Sequence, residues 1–309
     1  MPTQSKLHFT ATGLALLAAW GFPANARAQR TQSSSGASDW TAVETALGRK
    51  GAMQPGGVIK FGFPRSDLTV KVGAVTIAPA LALGSWVAFE RTADGKSMAM
   101  GDLVLTDAEV GPVMSTLQQN GVEQSALHNH LLEESPHVMY MHILAHGDAA
   151  TIARAIHAAL EKSATPLGQP GAPPAPSAAV LDTQALATAL HVHGKLNGQV
   201  YQVAVPRSET ITEMGVTVPP SMGVATSINF QPTTEGKAAV TGDFVLLGSE
   251  VNPVIRTLRE HGIQVTALHS HLIDETPRLY FMHYWANDDA LSLAKGLRAA
   301  LDRTASKKN

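Results

Sequence analysis

Residues 126–142 read ALHNHLLEESPHVMYMH, and residues 267–283 read ALHSHLIDETPRLYFMH. The second segment is the first displaced by 141 positions, since 126 becomes 267. The same displacement aligns residues 101–149 with 242–290 without a gap, and nearly half of those positions are identical. A unit of that length is longer than a solenoid repeat, so it is a domain rather than one turn of an array. The duplication constrains the fold more than any other feature: the chain must build the same core twice.

Other segments extend the match. WTAVETALGRKG, ending at Gly51, corresponds to the ALATALHVHG stretch ending at Gly194, and both read as a short amphipathic helix closed by Gly. VIKFGFPRSDLTV (58–70) corresponds to VYQVAVPRSETIT (200–212), short β-type runs interrupted by Pro64 and Pro206. In the first copy the spacing of Val110, Val113, Met114 and Leu117 predicts a helix over 109–119 that stops at Gly121. A strand is expected over 122–132, then a turn over 133–137, a strand to about Ala145, and a helix from an N-cap at Asp148 through Leu160. The expected class is α+β: a tandem duplication of a domain with an antiparallel sheet and flanking helices, forming a pseudo-dimer.

Composition sets the boundaries. Residues 1–28 have Lys6 at the start, an apolar stretch, and small residues at Ala24, Ala26 and Ala28. That layout predicts a signal peptide cut after Ala26 or Ala28, with an apolar stretch too short to span a bilayer comfortably. Residues 29–38 read as a flexible lead. Residues 163–178 are rich in Pro, Ala and Gly and nearly free of charge, which reads as a linker. The expected domains are therefore 39–162 and 179–309. There is no Cys, so neither a disulfide nor a lipid-modified Cys is available. A formal net charge of −2, without basic clusters, argues against nucleic acid as a partner. No stable membrane anchor is expected, and localisation is expected to be periplasmic or secreted.

The chemistry sits in the repeated segment. His128 and His130, two apart on a strand, share a face. A hairpin centred on Ser135 places His128 opposite His142 and His130 opposite Tyr140. Glu134, in the turn, is expected to curl back over the same face. His269, His271, Glu275 and His283 repeat the set, with Phe281 in place of Tyr140. Three imidazoles and a carboxylate suit a transition-metal ion, zinc first, with Mn, Fe, Ni or Cu as alternatives. Outside the shell, Glu134 and Glu275 are candidate catalytic bases for a metal-bound water. The plain alternative is a set of hydrogen-bonded polar histidines. Against it, Asn129, His137 and His146 drift to Ser270, Arg278 and Asn287 while the three His and the Glu persist.

Other recurring residues read as structural. Arg65 with Asp67, and Arg207 with Glu209, read as turns with surface ion pairs of small energetic weight. Asp102 and Asp243, each after Gly, read as turns. Glu109 and Glu250 fall at helix starts, where the dipole favours them. His137 and His146 lack His counterparts and are secondary, and His191 and His193 read as solvated.

The motif EV-x-PV…AL-H-x-H-L…E-x-P…MH, at 109–142 and again at 250–283, resembles the LppY/LpqO family of secreted bacterial proteins and lipoproteins. The PR-S-(D/E) segments fit it too. The resemblance implies export but no reaction, and the lack of Cys departs from the lipoprotein members. H-x-H-x3-E with a later His is also similar to a cupin metal motif, although helices directly flanking it do not fit a jelly roll. Three functions follow: a module binding a metal ion or small-molecule ligand, a metal-dependent hydrolase, or an interaction protein with hydrogen-bonded histidines.

Overall fold

Alternation along the strands divides the residues between two kinds of core. In the computed structural model, which describes residues 39–168 and 179–307, Ala99, Leu103 and Leu105 of one strand face helices. Met98, Met100 and Val104 of the same strand face the other repeat. The period of two puts these sets on opposite faces. The predicted signal peptide, the whole of the predicted lead and residues 169–178 and 308–309 lie outside the described residues.

The first repeat comprises α1 (Thr41–Leu47), β1 (Ala52–Met53), β2 (Ile59–Pro64), β3 (Lys71–Val72), β4 (Val75–Thr76), β5 (Gly84–Arg91), β6 (Ser97–Thr106), α2 (Asp107–Gln119), β7 (Glu123–His128), β8 (Glu134–Ser135), β9 (Val138–Gly147) and α3 (Ala149–Leu160). The second comprises α4 (Thr183–Leu190), β10 (Lys195–Asn197), β11 (Val200–Pro206), β12 (Thr212–Glu213), β13 (Val216–Thr217), a 3-10 turn at Pro220–Met222, β14 (Ala225–Pro232), β15 (Lys237–Leu246), α5 (Gly248–Glu260), β16 (Gln264–His269), β17 (Tyr280–Asp289) and α6 (Ala290–Leu301). Each repeat forms a six-stranded sheet, β1-β2-β5-β6-β9-β7 and β10-β11-β14-β15-β17-β16, with antiparallel pairing throughout. The α+β tandem duplication expected from sequence is the observed architecture.

Helices cover one face of each sheet. The opposite faces pack against each other through mixed cores, in which Met98, Met100 and Leu144 meet Val245, Leu272 and Phe281. Val104 and Tyr140 likewise meet Val200 and Trp285. The described residues accordingly form one compact unit. No helix among the described residues is long and apolar enough to cross a membrane.

Several local expectations change. α2 starts at Asp107, two residues before Glu109. α1 closes on Gly48 in the left-handed region, whereas α4 closes on His191 at φ 57°, not on Gly194. α3 follows an Asp148 N-cap whose carboxylate accepts from Thr151 N, as expected, and Asp289 repeats this with Ser292. The two predicted strands pair antiparallel, but through a longer connection than the expected turn and in a shifted register. β7 ends at His128, and residues 134–135 leave to pair with β3, with Val72 opposite Glu134. His128 therefore lies opposite Tyr140, and Ala126 opposite His142. The shift is two residues, so His128 and His142 keep the same face.

The Arg65 and Arg207 turns are not surface ion pairs. Arg65 is 0% exposed. It donates to the Val104 carbonyl (2.6 Å), to Glu109 (2.8 and 3.1 Å) and to Asp67 (2.8 Å). Glu109 in turn accepts from Thr106 N and Ala164 N. Arg207 repeats this with Val245, Glu250 and Glu209, and Glu250 accepts from Leu247 N and Ala305 N. A guanidinium fork suits such bidentate pairing. The clamp joins the strand before each second helix to the chain after each last helix. It also reaches the beginning of the expected linker. Thr165 is buried, and Arg49 binds the carbonyls of Pro166 and Gly168, so residues 163–168 fold onto the first repeat.

Candidate metal centre

The six repeated histidines do not form two separate patches. They meet between the two sheets. His128 stacks on His269 with ring centroids 3.7 Å apart, His142 on His271 at 3.7 Å, and His130 lies 3.8 Å from His283. Exchanging the repeats turns His130–His283 into His271–His142 and leaves His128–His269 unchanged. That is the contact pattern of a two-fold axis, with His128 and His269 beside it. His130 also lies on Tyr140 at 3.3 Å and His271 on Phe281 at 3.7 Å. Two hydrogen bonds cross between the repeats here, from Thr266 Oγ1 to the His130 carbonyl and from Asn129 Nδ2 to the Thr266 carbonyl.

Two backbone carbonyls settle ring orientation. His128 Nδ1 lies 3.1 Å from the Asn129 carbonyl and His283 Nδ1 lies 2.9 Å from the Gly242 carbonyl. A carbonyl only accepts, so each Nδ1 donates and each Nε2 presents its lone pair to the centre. Such a backbone partner on the far nitrogen is the usual support of a metal-ligating imidazole. His271 Nε2 and His269 Nε2 are 2.9 Å apart. The nitrogens His128 Nε2, His130 Nε2, His142 Nε2, His269 Nδ1 and His283 Nε2 are buried with no hydrogen-bond partner among the described residues. Orphaned buried polar atoms are costly and uncommon.

Burial pushes every one of these imidazoles down. His128 falls to about 4 and His269 to about 3, and the other four lie well below the usual value, lowered further by one another's charge. All six are neutral at pH 7, and the unpartnered nitrogens among them offer lone pairs to a cation. His128, His269, His271 and His283 place one ligand atom each within 4.8 Å of one another.

The carboxylates at the centre differ from those expected. Asp102 and Asp243 are not turn residues. They lie mid-strand on β6 and β15, directly opposite His142 and His283 in register. Burial pushes Asp102 up to about 7 and Asp243 well above its usual value, the latter also through the nearby Asp102 charge. One signal for them was in the chain: the Gly-Asp pair recurs at the same displacement as the histidines. The preceding glycines are required for close packing. A Cβ on Gly101 would stand 2.7 Å from the Trp86 carbonyl oxygen, and one on Gly242 2.0 Å from that of Ser227.

Glu134 and Glu275 do not reach the imidazoles. Among the described residues, the one imidazole nitrogen within ion-pair distance of Glu134 is that of His137, at 3.7 Å. Burial raises the Glu134 carboxyl. Glu275 accepts from Leu279 N and from Arg278, closing its own turn. Pairing of residues 134–135 with β3 is what carries Glu134 away. His137 and His146 also stay outside, beside Asp107 and Asp94 respectively. His191 and His193 are exposed. A cavity of about 10 Å³, room for about one water, touches His142 and His271 and is lined by Trp86, Met222 and Gly223.

No curated protein matches the chain. It is similar to a trimeric bacterial microcompartment shell protein, PduB, at 14% identity, over 82% of this chain and 90% of that one, with a TM-score of 0.21. It is also similar to EtuB from Clostridium kluyveri at 9% identity, over 81% and 90%, with a TM-score of 0.23. Likenesses of that size carry no argument about this fold. Residues 41–162 and 184–303 both match one family, in agreement with the duplication read from sequence. The chain belongs to the family described as Domain of Unknown Function (DUF1259), whose domain it carries twice in tandem.

Proposed function

We propose that this protein binds a transition-metal ion, zinc in the first instance, in a centre shared by its two repeats. The observation that carries this reading is the set of five buried imidazole nitrogens without a hydrogen-bond partner among the described residues, on rings that stack together between the repeats. Neutral imidazoles at pH 7, two of them braced by backbone carbonyls, suit such an ion. A hydrogen-bonded structural cluster would leave fewer of them unpaired. A hydrolase needs an open coordination position and a pocket for substrate. The cavity beside His142 and His271 has room for about one water, which favours binding over hydrolysis. The Lys6, apolar and Ala24–Ala26–Ala28 pattern supports export to the periplasm or beyond, in line with the resemblance to LppY/LpqO proteins.

Elemental analysis of the mature protein, purified without a His-tag, tests this. A transition metal in stoichiometric amount, lost in a His130→Ala/His271→Ala variant, is the expected result. Absence of metal after reconstitution with Zn, Mn, Fe, Ni and Cu would overturn it.

A further inference from the structure

The carboxylates make a finer statement about the same centre. Asp102 Oδ2 lies 3.9 Å from His130 Nε2, and Asp102 Oδ1 lies 3.8 Å from His142 Nε2. Asp243 Oδ2 lies 3.7 Å from His271 Nε2, and Asp243 Oδ1 lies 3.7 Å from His283 Nδ1. All four separations are too long for a hydrogen bond. The first three are within the span of about 4.4 Å open to two atoms that each bind one ion at about 2.0–2.2 Å, while His283, whose Nδ1 donates to the Gly242 carbonyl, would bind through Nε2. Asp102 Oδ1 and Asp243 Oδ1 are buried and have no hydrogen-bond partner among the described residues. No Lys or Arg among the described residues lies within ion-pair distance of either carboxylate. Lys60, held over the Trp86 ring at 3.7 Å, acts on Asp102 only from farther away. Buried carboxylates are held by a cation or they are expensive.

Resting on the metal-binding reading above, we infer that the centre is built for two divalent ions, one per repeat. Asp102, His130 and His142 hold the first; Asp243, His271 and His283 hold the second. Each set is two imidazoles and one carboxylate, which suits iron, zinc or manganese rather than a thiolate-seeking ion. His128 stands between the sets, its ring 5.2 and 5.1 Å from those of His130 and His142 and 5.2 and 5.1 Å from those of His271 and His283. A single ion in the four-imidazole group of His128, His269, His271 and His283 would leave Asp102, His130 and His142 with nothing to bind. The duplication gives no physical reason for one repeat to be so left.

The test counts ions in the full mature protein reconstituted with Zn2+ alone. Two equivalents are expected, falling by about one in Asp102→Asn, by about one in Asp243→Asn and by about two in the double variant. One equivalent, unchanged in both single variants, would overturn the two-ion assignment and keep the metal reading. No zinc in the unmutated protein would overturn both. Anomalous scattering at the zinc edge, on crystals of the unmutated protein, gives a count independent of how the variants fold. Two peaks, beside Asp102 and beside Asp243, support the assignment, and one peak among His128, His269, His271 and His283 overturns it.

Discussion

His128 and His269 stack across the two repeats, 3.7 Å between ring centroids and 28° between planes. They are the same residue of the duplicated unit, and they meet beside its symmetry axis. Under the two-ion proposal each ion would be held by one repeat, side by side at this seam. Because the repeats share a mixed core, ions bound only to the folded state would stabilise the whole unit.

Chelation is expected to lower the melting temperature, with recovery on adding zinc. A ligand bound only to the folded state at 100 times its Kd contributes about 2.7 kcal/mol. For a unit of this size that is a shift of roughly 5–10 °C. Differential scanning calorimetry before and after chelation measures it, and an unchanged melting temperature would count against ions bound at this seam.

Glu134→Gln and Glu275→Gln are expected to keep full metal content. Glu275 closes its own turn and Glu134 lies beside His137, both away from the six stacked imidazoles. Glu275→Gln weakens its bonds to Leu279 N and Arg278, a loss of about 1 kcal/mol. Metal analysis beside urea denaturation separates these effects; loss of metal in either variant would return the glutamates to the ligand set.

Arg65→Met should destabilise the protein by about 3–5 kcal/mol, because it leaves the partly buried Glu109 and Asp67 without their cation. Arg207→Met should do the same in the second repeat. A surface pair would cost less than about 1 kcal/mol, so denaturation midpoints decide between a buried clamp and a surface bridge.

Acid should weaken these clamps. Burial pushes Glu109 and Glu250 up, but Arg65 and Arg207, with backbone N–H groups, more than offset it and hold both below the usual carboxylate value. The unfolded chain then takes up protons first as pH falls below about 4.5. The contribution is complete above that pH and is lost below it. Stability of a Glu109→Gln/Glu250→Gln variant should fall less steeply than the unmutated protein between pH 4.5 and pH 3. Parallel curves would contradict this.

Gly242→Ala is expected to lose about 1–3 kcal/mol through overpacking, since the new Cβ would meet the Ser227 carbonyl oxygen. The strand that must shift carries Asp243, so zinc content should drop with stability. A variant of full stability would show that the strands relax without cost.

What the chain determined by itself is local or periodic. The duplication is a matter of identity at fixed displacement. The helix over 109–119, the Asp148 cap and the shared face of His128 and His142 follow from period and residue type, and a two-residue register shift preserves that face. Long-range pairing decided the rest. Residues 134–135 join β3, some sixty positions earlier, so no hairpin rule could have kept Glu134 from the cluster. Arg65 looks exposed in a Pro-Arg-Ser turn until Val104 and Glu109 arrive from about forty residues away. Asp102 resembles a turn residue until its strand is placed opposite His142. The shared centre itself depends on packing two sheets face to face. That packing is set by the summed burial of Met100, Leu144, Val245, Phe281 and their neighbours, a property of surfaces that exist only once both repeats have folded.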